Sequence, residues 1–316
     1  MKVDAADGAL LAWMNERHEG VYDDGTPFDE VGYLQCKLIL KPDRFTSTQV
    51  FKDFAHLVKR AAEPLDIGFR NPSHGRTRPQ IREVLFLDTS GFHLYNNAYI
   101  VRRRIAYEDG FPISDPEVVF KFRHPDPALA AALDVRPQIA GKYKIKYKVE
   151  LLTTPDRVGG LRRLMSHNVE FGLSQAPEAK RMVMASLGHM SLGDLGDIFP
   201  RLNAIECDNA DEIAMVNQTI VEELLEDICE LDFGHGVSAM ANLALWRSRG
   251  DHHPFVGEFA FQIRIRRGET LSPKALVLCE RFFVLLQHVA EDWLALTTTK
   301  TGAVYRLKGN PPQAHE

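Results

Sequence analysis

Lys142-Tyr143-Lys144-Ile145-Lys146-Tyr147-Lys148-Val149-Glu150-Leu151-Leu152 alternates polar and apolar residues with a period of two. Successive side chains of a pleated strand point to opposite faces. Lys142, Lys144, Lys146, Lys148 and Glu150 therefore share one face, and Tyr143, Ile145, Tyr147, Val149 and Leu151 the other. Four ammonium groups in a row repel one another unless water or an anion screens them. This strand is either the wet face of a sheet or part of a site for anions.

The same period recurs on both sides of it. Leu34, Cys36, Leu38 and Leu40 alternate with Tyr33, Gln35, Lys37 and Ile39 in a strand that ends at Pro42. Residues 83–88, 98–107, 118–123, 240–247 and 255–266 read as further strands. Thr46-x-x-Gln49 has the form of a capping box opening a helix with Val50, Phe51, Phe54, Leu57 and Val58 as its stripe and Pro64 as its stop. Residues 66–80 read as a loop, basic through Arg70, Arg76 and Arg78. Between about 155 and 233 the spacing of Val216, Ile220, Leu224 and Ile228 predicts a helical interlude, with Asp208 or Asn209 as a cap. Ser272-Pro273 opens an apolar helix to about residue 295, and 300–307 reads as a last strand. The expected organisation is an N-terminal extension (1–30), a single domain (31–308) and a flexible tail (309–316).

Composition narrows the function classes. With 45% hydrophobic and 26% charged residues in 316, the chain is globular and long enough for a sizeable core. Its 38 basic residues against 43 acidic ones give a net charge of −5, which argues against coating duplex nucleic acid, so any basic site is local. Cys36, Cys207, Cys229 and Cys279 form no C-x-x-C pair and sit among apolar neighbours, which suggests buried free thiols and a reducing compartment. No stretch has the form of a signal peptide or a transmembrane span, so a cytoplasmic protein without a membrane partner is expected.

The charge on the polar strand faces is mostly positive: Lys37; Arg102 and Arg104; Lys121 and Arg123; Lys144, Lys146 and Lys148; Arg264 and Arg266. Strand by strand this is an ordinary solvated face. Taken together, a protein that is acidic overall has put its carboxylates elsewhere. If the sheet curls with its polar face inward, these cations line a cavity that concentrates a polyanion, and phosphate suits Arg forks and Lys point charges. His252-His253 reads as a polar hairpin turn. Gly234-His235-Gly236 lacks the phosphate-loop lysine and reads as a linker, while Trp246 and Trp293 read as core.

Phe86-Leu87-Asp88-Thr89, then Leu94, Val101-Arg102-Arg103-Arg104, Phe120-Lys121 and Lys148-Val149-Glu150, taken in that order, resemble the CYTH or triphosphate tunnel metalloenzyme superfamily. Class IV adenylate cyclase, thiamine triphosphatase and inorganic triphosphatases belong to it. The resemblance runs from about Tyr33 to Tyr305. It implies an α+β fold: an eight-stranded antiparallel barrel, closed or nearly closed, with helices packed outside. It further implies that Lys37, Arg102, Arg104, Lys121, Lys148 and Lys300 grip phosphate, while Glu150 and Glu258 hold a divalent metal. Arg123, Lys146 and Arg264 join the phosphate set from the strand pattern. Where the family has Glu-x-Glu-x-Lys, this chain has Tyr33-Leu34-Gln35-Cys36-Lys37, so Mg2+ or Mn2+ would be weakly bound. The function expected is a divergent phosphohydrolase that takes a small triphosphate or polyphosphate-type anion. The alternative is a non-catalytic phosphate-ligand receptor or scaffold.

Overall fold

A computed structural model describes residues 8–16, 20–22, 25–72, 79–176, 190–309 and 311. Arg76 and Arg78 of the basic loop lie outside the described residues, as does most of the expected tail. Thirteen strands are present among those described: β1 (Val31–Leu40), β2 (Gly68–Arg70), β3 (Gln80–Thr89), β4 (Tyr99–Glu108), β5 (Phe111–Pro112), β6 (Glu117–His124), β7 (Lys144–Leu152), β8 (Arg162–Gly172), β9 (Met190–Ser191), β10 (Glu212–Met215), β11 (Val221–Asp232), β12 (Ser238–Ser248) and β13 (Pro254–Arg264).

Nine of them form a closed barrel in the order β11-β12-β13-β1-β7-β8-β6-β4-β3. The ring shuts where β11 pairs with β3, from Val221 opposite Val84 to Leu225 opposite Gln80. The expected barrel had eight antiparallel strands, and the difference has a geometric consequence. Directions can alternate all the way round a ring only if the number of strands is even. With nine, one neighbouring pair must run parallel, and that pair is β1 and β7, with Gln35 opposite Glu150. Every other contact around the ring is antiparallel.

The wall strands turn one face outward to an apolar core, and over β1 and β13 that core is covered by helices. Leu34, Cys36 and Leu38 of β1 and Phe259 and Phe261 of β13 are buried beneath the Gln49–Ala62 and Pro273–Val289 helices. Phe54 packs on Phe259 with ring centroids 5.3 Å apart, and Phe282 on Phe261 at 5.5 Å. Burying each such side chain contributes about 1.5–3 kcal/mol. The first of these helices has Thr48 at its N-cap, without a side-chain bond, so the Thr46 capping box does not form. Pro64 lies in the 3-10 turn that ends it.

Four sequence expectations change. The helical interlude contains the long strands β8 and β11, besides a short helix, Leu192–Ile198. A spacing of four is also a multiple of two, so Leu224 and Ile228 fit a strand as well as a helix. A register shift between Asp227 and Cys229 blurs the alternation further. Gly234-His235-Gly236 is accordingly the tip of the β11–β12 hairpin. The last strand is instead a short helix, Lys300–Tyr305, capped by Thr299 Oγ1, which accepts the Gly302 N–H at 3.0 Å. Of the cysteines, Cys36, Cys229 and Cys279 are buried free thiols, whereas Cys207 is only half-buried. No helix among the described residues is long and apolar enough to cross a membrane.

That last helix fills one end of the barrel. Ile39, Val84, Phe86, Ile100, Trp246 and Val256, which share strand faces with the inward polar residues, form a second apolar cluster with Val304 and Tyr305. Tyr305 stacks on Tyr95 at 4.1 Å and its hydroxyl donates to Asp88 Oδ2 at 3.1 Å. The interior is thus stopped by an apolar plug at one end and polar above it.

Candidate functional site

Above the plug lies a cavity of about 240 Å³. The two-residue period decides its lining. β1 contributes Gln35 and Lys37, β3 Arg82, β4 Arg102 and Arg104, and β6 Lys121 and Arg123. From β7 come Lys148 and Glu150, from β11 Glu223, from β13 Glu258 and Gln262, and Lys300 reaches in from the plug helix. Eight cationic side chains face three carboxylates, an excess of five positive charges in a protein whose net charge is −5.

Most of these charges are already matched. Glu150 is held between two ammonium groups, Lys121 at 2.7 Å from Oε1 and Lys37 at 2.9 Å from Oε2. Burial alone would push its carboxyl up, but Lys121, Lys37 and Arg123 overcome that and hold it well below the usual range. Positive charge is in excess here, so Lys121 gives up its proton more readily than an ordinary lysine, through burial first and the neighbouring Lys37 and Arg123 next. Lys300 bridges Glu258 at 2.8 Å and Glu223 at 3.2 Å, and lies 4.7 Å from the centre of the Trp246 ring. Glu223 also accepts the Trp246 indole N–H at 2.7 Å and lies 3.5 Å from Arg82. Against the upward push of burial, Lys300 and Arg82 bring its carboxyl down to about 2. Arg104 bonds to Glu117 at 2.6 Å.

Two cations differ. Among the described residues, no carboxylate lies within ion-pair distance of Arg102 or Lys148. The Arg102 Nε is buried without a hydrogen-bond partner, and Lys148 Nζ reaches only Gln262 Oε1 at 3.5 Å and the Tyr33 ring at 5.1 Å. Burial, then the repulsion of Lys37, Lys146 and Arg102, brings the Lys148 ammonium down to about 8, although Glu150 works the other way.

Of the residues singled out in the sequence, Lys37, Arg102, Arg104, Lys121, Arg123, Lys148, Lys300, Glu150 and Glu258 meet in this cavity. Two do not. Lys146 bonds to Glu170 and lines a separate groove with Tyr33 and Tyr143. Arg264, in the last β1–β13 pair, is exposed. Arg82 and Glu223 were missed. Arg82 precedes the residue at which β3 was expected to start, and Glu223 sits in the segment read as helix. The polar face also holds more carboxylates than its sequence suggested.

Glu150 and Glu258 do not fit a divalent ion. Mg2+ demands about six oxygen ligands in near-ideal octahedral geometry, usually one or two free carboxylates among them. Both oxygens of Glu150 face ammonium groups, Glu258 is engaged by Lys300, and β1 supplies no carboxylate facing the cavity. Lys300 itself occupies the position between Glu223 and Glu258 where a cation would sit.

No protein-family profile and no curated protein matches the chain. Among solved structures it is similar to HpAC1 from Hippeastrum, named as an adenylyl cyclase with a dominant triphosphatase activity. The identity is 15% and the TM-score 0.42, over 90% of this chain and 100% of that one. It is also similar to a Bacillus halodurans protein named as an adenylate cyclase, at 12% identity and a TM-score of 0.35 over 86% of this chain and 95% of that one. A third similarity is to PH1819 from Pyrococcus horikoshii, at 11% identity and a TM-score of 0.34 over 84% and 94%. At identities and TM-scores this low, function rests on the cavity's own side chains.

Proposed function

We propose that the barrel is a receptor for a compact phosphate-rich anion, of the triphosphate or polyphosphate class, which it holds without a divalent metal. The observation that carries this reading is the pair Arg102 and Lys148, two cations without carboxylate partners in a cavity with five positive charges in excess. Like charges held together in a low-dielectric enclosure repel strongly, and an anion relieves that repulsion while it supplies the missing acceptors. The volume lies slightly below the roughly 300–1,000 Å³ of drug-sized ligand pockets, which suits a small, dense ligand. The catalytic alternative needs Glu150 and Glu258 to hold an activating metal, and their lysine contacts count against it.

Thermal unfolding with tripolyphosphate in EDTA tests the proposal. The expected result is a rise in Tm that added Mg2+ does not enlarge, no release of orthophosphate, and loss of the rise in the double variant Arg102→Gln, Lys148→Gln. A rise that appears only with Mg2+, or Mg2+-dependent phosphate release, restores the phosphohydrolase. No response in the intact protein removes the anion site altogether.

A further inference from the structure

Beside the plugged end, three side chains of different chemistry converge: His93, Cys207 and Asp211. Each offers one ligand atom, and these atoms lie within 4.8 Å of one another. His93 belongs to the turn after β3, and the other two to the segment that leads into β10. None of them lines the anion cavity.

Two details separate this trio from a chance meeting of surface groups. His93 Nδ1 is 3.2 Å from Asp211 Oδ2, yet it takes part in no hydrogen bond, although the atom itself is buried. Nitrogen and oxygen at that separation without a directional bond are placed as two ligands of a common third atom are. The backbone beneath them is also fixed. Thr89 Oγ1 accepts the His93 N–H at 3.0 Å, the Asp211 N–H donates to the Asp208 carbonyl at 2.9 Å, and the Asp211 carbonyl accepts from Leu192 at 2.8 Å. The imidazole rests against Gly91, where an added Cβ would lie 3.0 Å from Nε2, so the ring's place depends on that missing atom.

We propose that His93, Cys207 and Asp211 form a binding site for a zinc-class transition-metal ion, with its fourth position open to solvent. One nitrogen, one sulfur and one carboxylate oxygen suit a borderline-soft ion rather than Mg2+. Bond lengths of about 2.0–2.3 Å in a tetrahedral site place ligand atoms roughly 3.3–3.8 Å apart, a contraction that side-chain rotation from the present spacing supplies. All three residues are half-buried, which leaves a route of entry. The ion would join the corner after β3 to the lead-in of β10, next to the Asp88–Tyr305 contact that seats the plug.

Titration of the metal-stripped full chain with Co2+ tests this. The expected result is one Co2+ per chain with tetrahedral d–d bands and a thiolate-to-cobalt charge-transfer band, all displaced by Zn2+. Cys207→Ser should abolish the charge-transfer band, and Asp211→Asn should weaken binding at least tenfold while its melting temperature without metal stays near that of the parent. An octahedral spectrum, no binding at micromolar Co2+, or a charge-transfer band that survives Cys207→Ser would overturn the assignment. The response to tripolyphosphate in EDTA should be the same in both variants, since the two sites share no residue.

Discussion

The lowering of the Lys148 ammonium to about 8 makes two opposite trends observable. Its value of about 8 lies below that of an unfolded lysine, so between pH 8 and roughly 10.4 the unfolded chain binds the extra proton. Stability without ligand should therefore rise with pH across that window, and Lys148→Met should lose this part of the slope. Anion affinity should fall over the same range as the charge is lost, and calorimetric titration with tripolyphosphate at pH 7 and pH 9.5 checks it. Glu150→Gln probes the other half of the cavity. Leaving Lys37 and Lys121 uncompensated should cost about 3–5 kcal/mol in urea unfolding. The same change adds a net positive charge, so tripolyphosphate should bind more tightly and recover part of the loss. At this scale the sequence was readable wherever period two held without interruption, as at Lys37, Arg102, Lys121 and Lys148. It could not reveal that Glu223 crosses the barrel to Lys300, because that contact joins residues 77 apart in the chain. Nor could it say where the face leaves the cavity, as it does at Arg264 and Lys146.

Among the elements, the plug helix was the hardest to foresee and has the largest effect on the shape of the site. Its six residues, Lys300–Tyr305, are too few for a helical period to declare itself, and the stretch reads equally well as a strand. Its tertiary contacts decide the matter. Tyr305 donates to Asp88, a buried carboxylate that also accepts the N–H groups of Thr89, Leu94 and Tyr95. Burial pushes the Asp88 carboxyl up to about 6, with these four donors restraining it. Tyr305→Phe should cost about 1.5–3 kcal/mol, as befits a hydrogen bond to a charged group, measured by chemical unfolding at pH 7.5. The long strands β1, β4, β6, β7 and β13 were legible because one face of each is mostly apolar and the other mostly polar. β8 and β11 were not, since β8 buries the polar Ser166, His167 and Asn168 and β11 carries a bulge.

In the whole molecule, the stretch that precedes β1 is fastened to the barrel through a buried imidazole. The Tyr22 hydroxyl lies 2.7 Å from His167 Nε2, and His167 Nδ1 lies 3.2 Å from the Ala130 carbonyl. This geometry suits a neutral ring that donates from Nδ1 and accepts at Nε2. Burial lowers the imidazole to about 4. The folded state then binds fewer protons than the unfolded one between about pH 6.5 and pH 4, so its stability is present above that window and falls as the pH drops through it. Below pH 6 the raised Asp88 carboxyl works in the opposite direction, so the test is the difference in urea midpoint between the parent and His167→Gln, which should shrink from pH 7 to pH 4 with a slope of close to one proton. Barrel closure was legible as a possibility in the inward cations, whereas the count of nine was not, because β11 looked helical.

The odd ring has a consequence for biosynthesis. β1 leaves the ribosome before every other wall strand, yet both its neighbours come much later: β7 begins at Lys144, and β13 pairs Arg264 with Tyr33. At about 5–20 residues per second, on the order of ten to fifty seconds separate the emergence of β1 from that of its second partner. Throughout that interval a strand with one apolar face stands with a bare edge, and a nascent chain arrested before residue 264 cannot shut its wall, so this protein should depend on holding chaperones while it is being made.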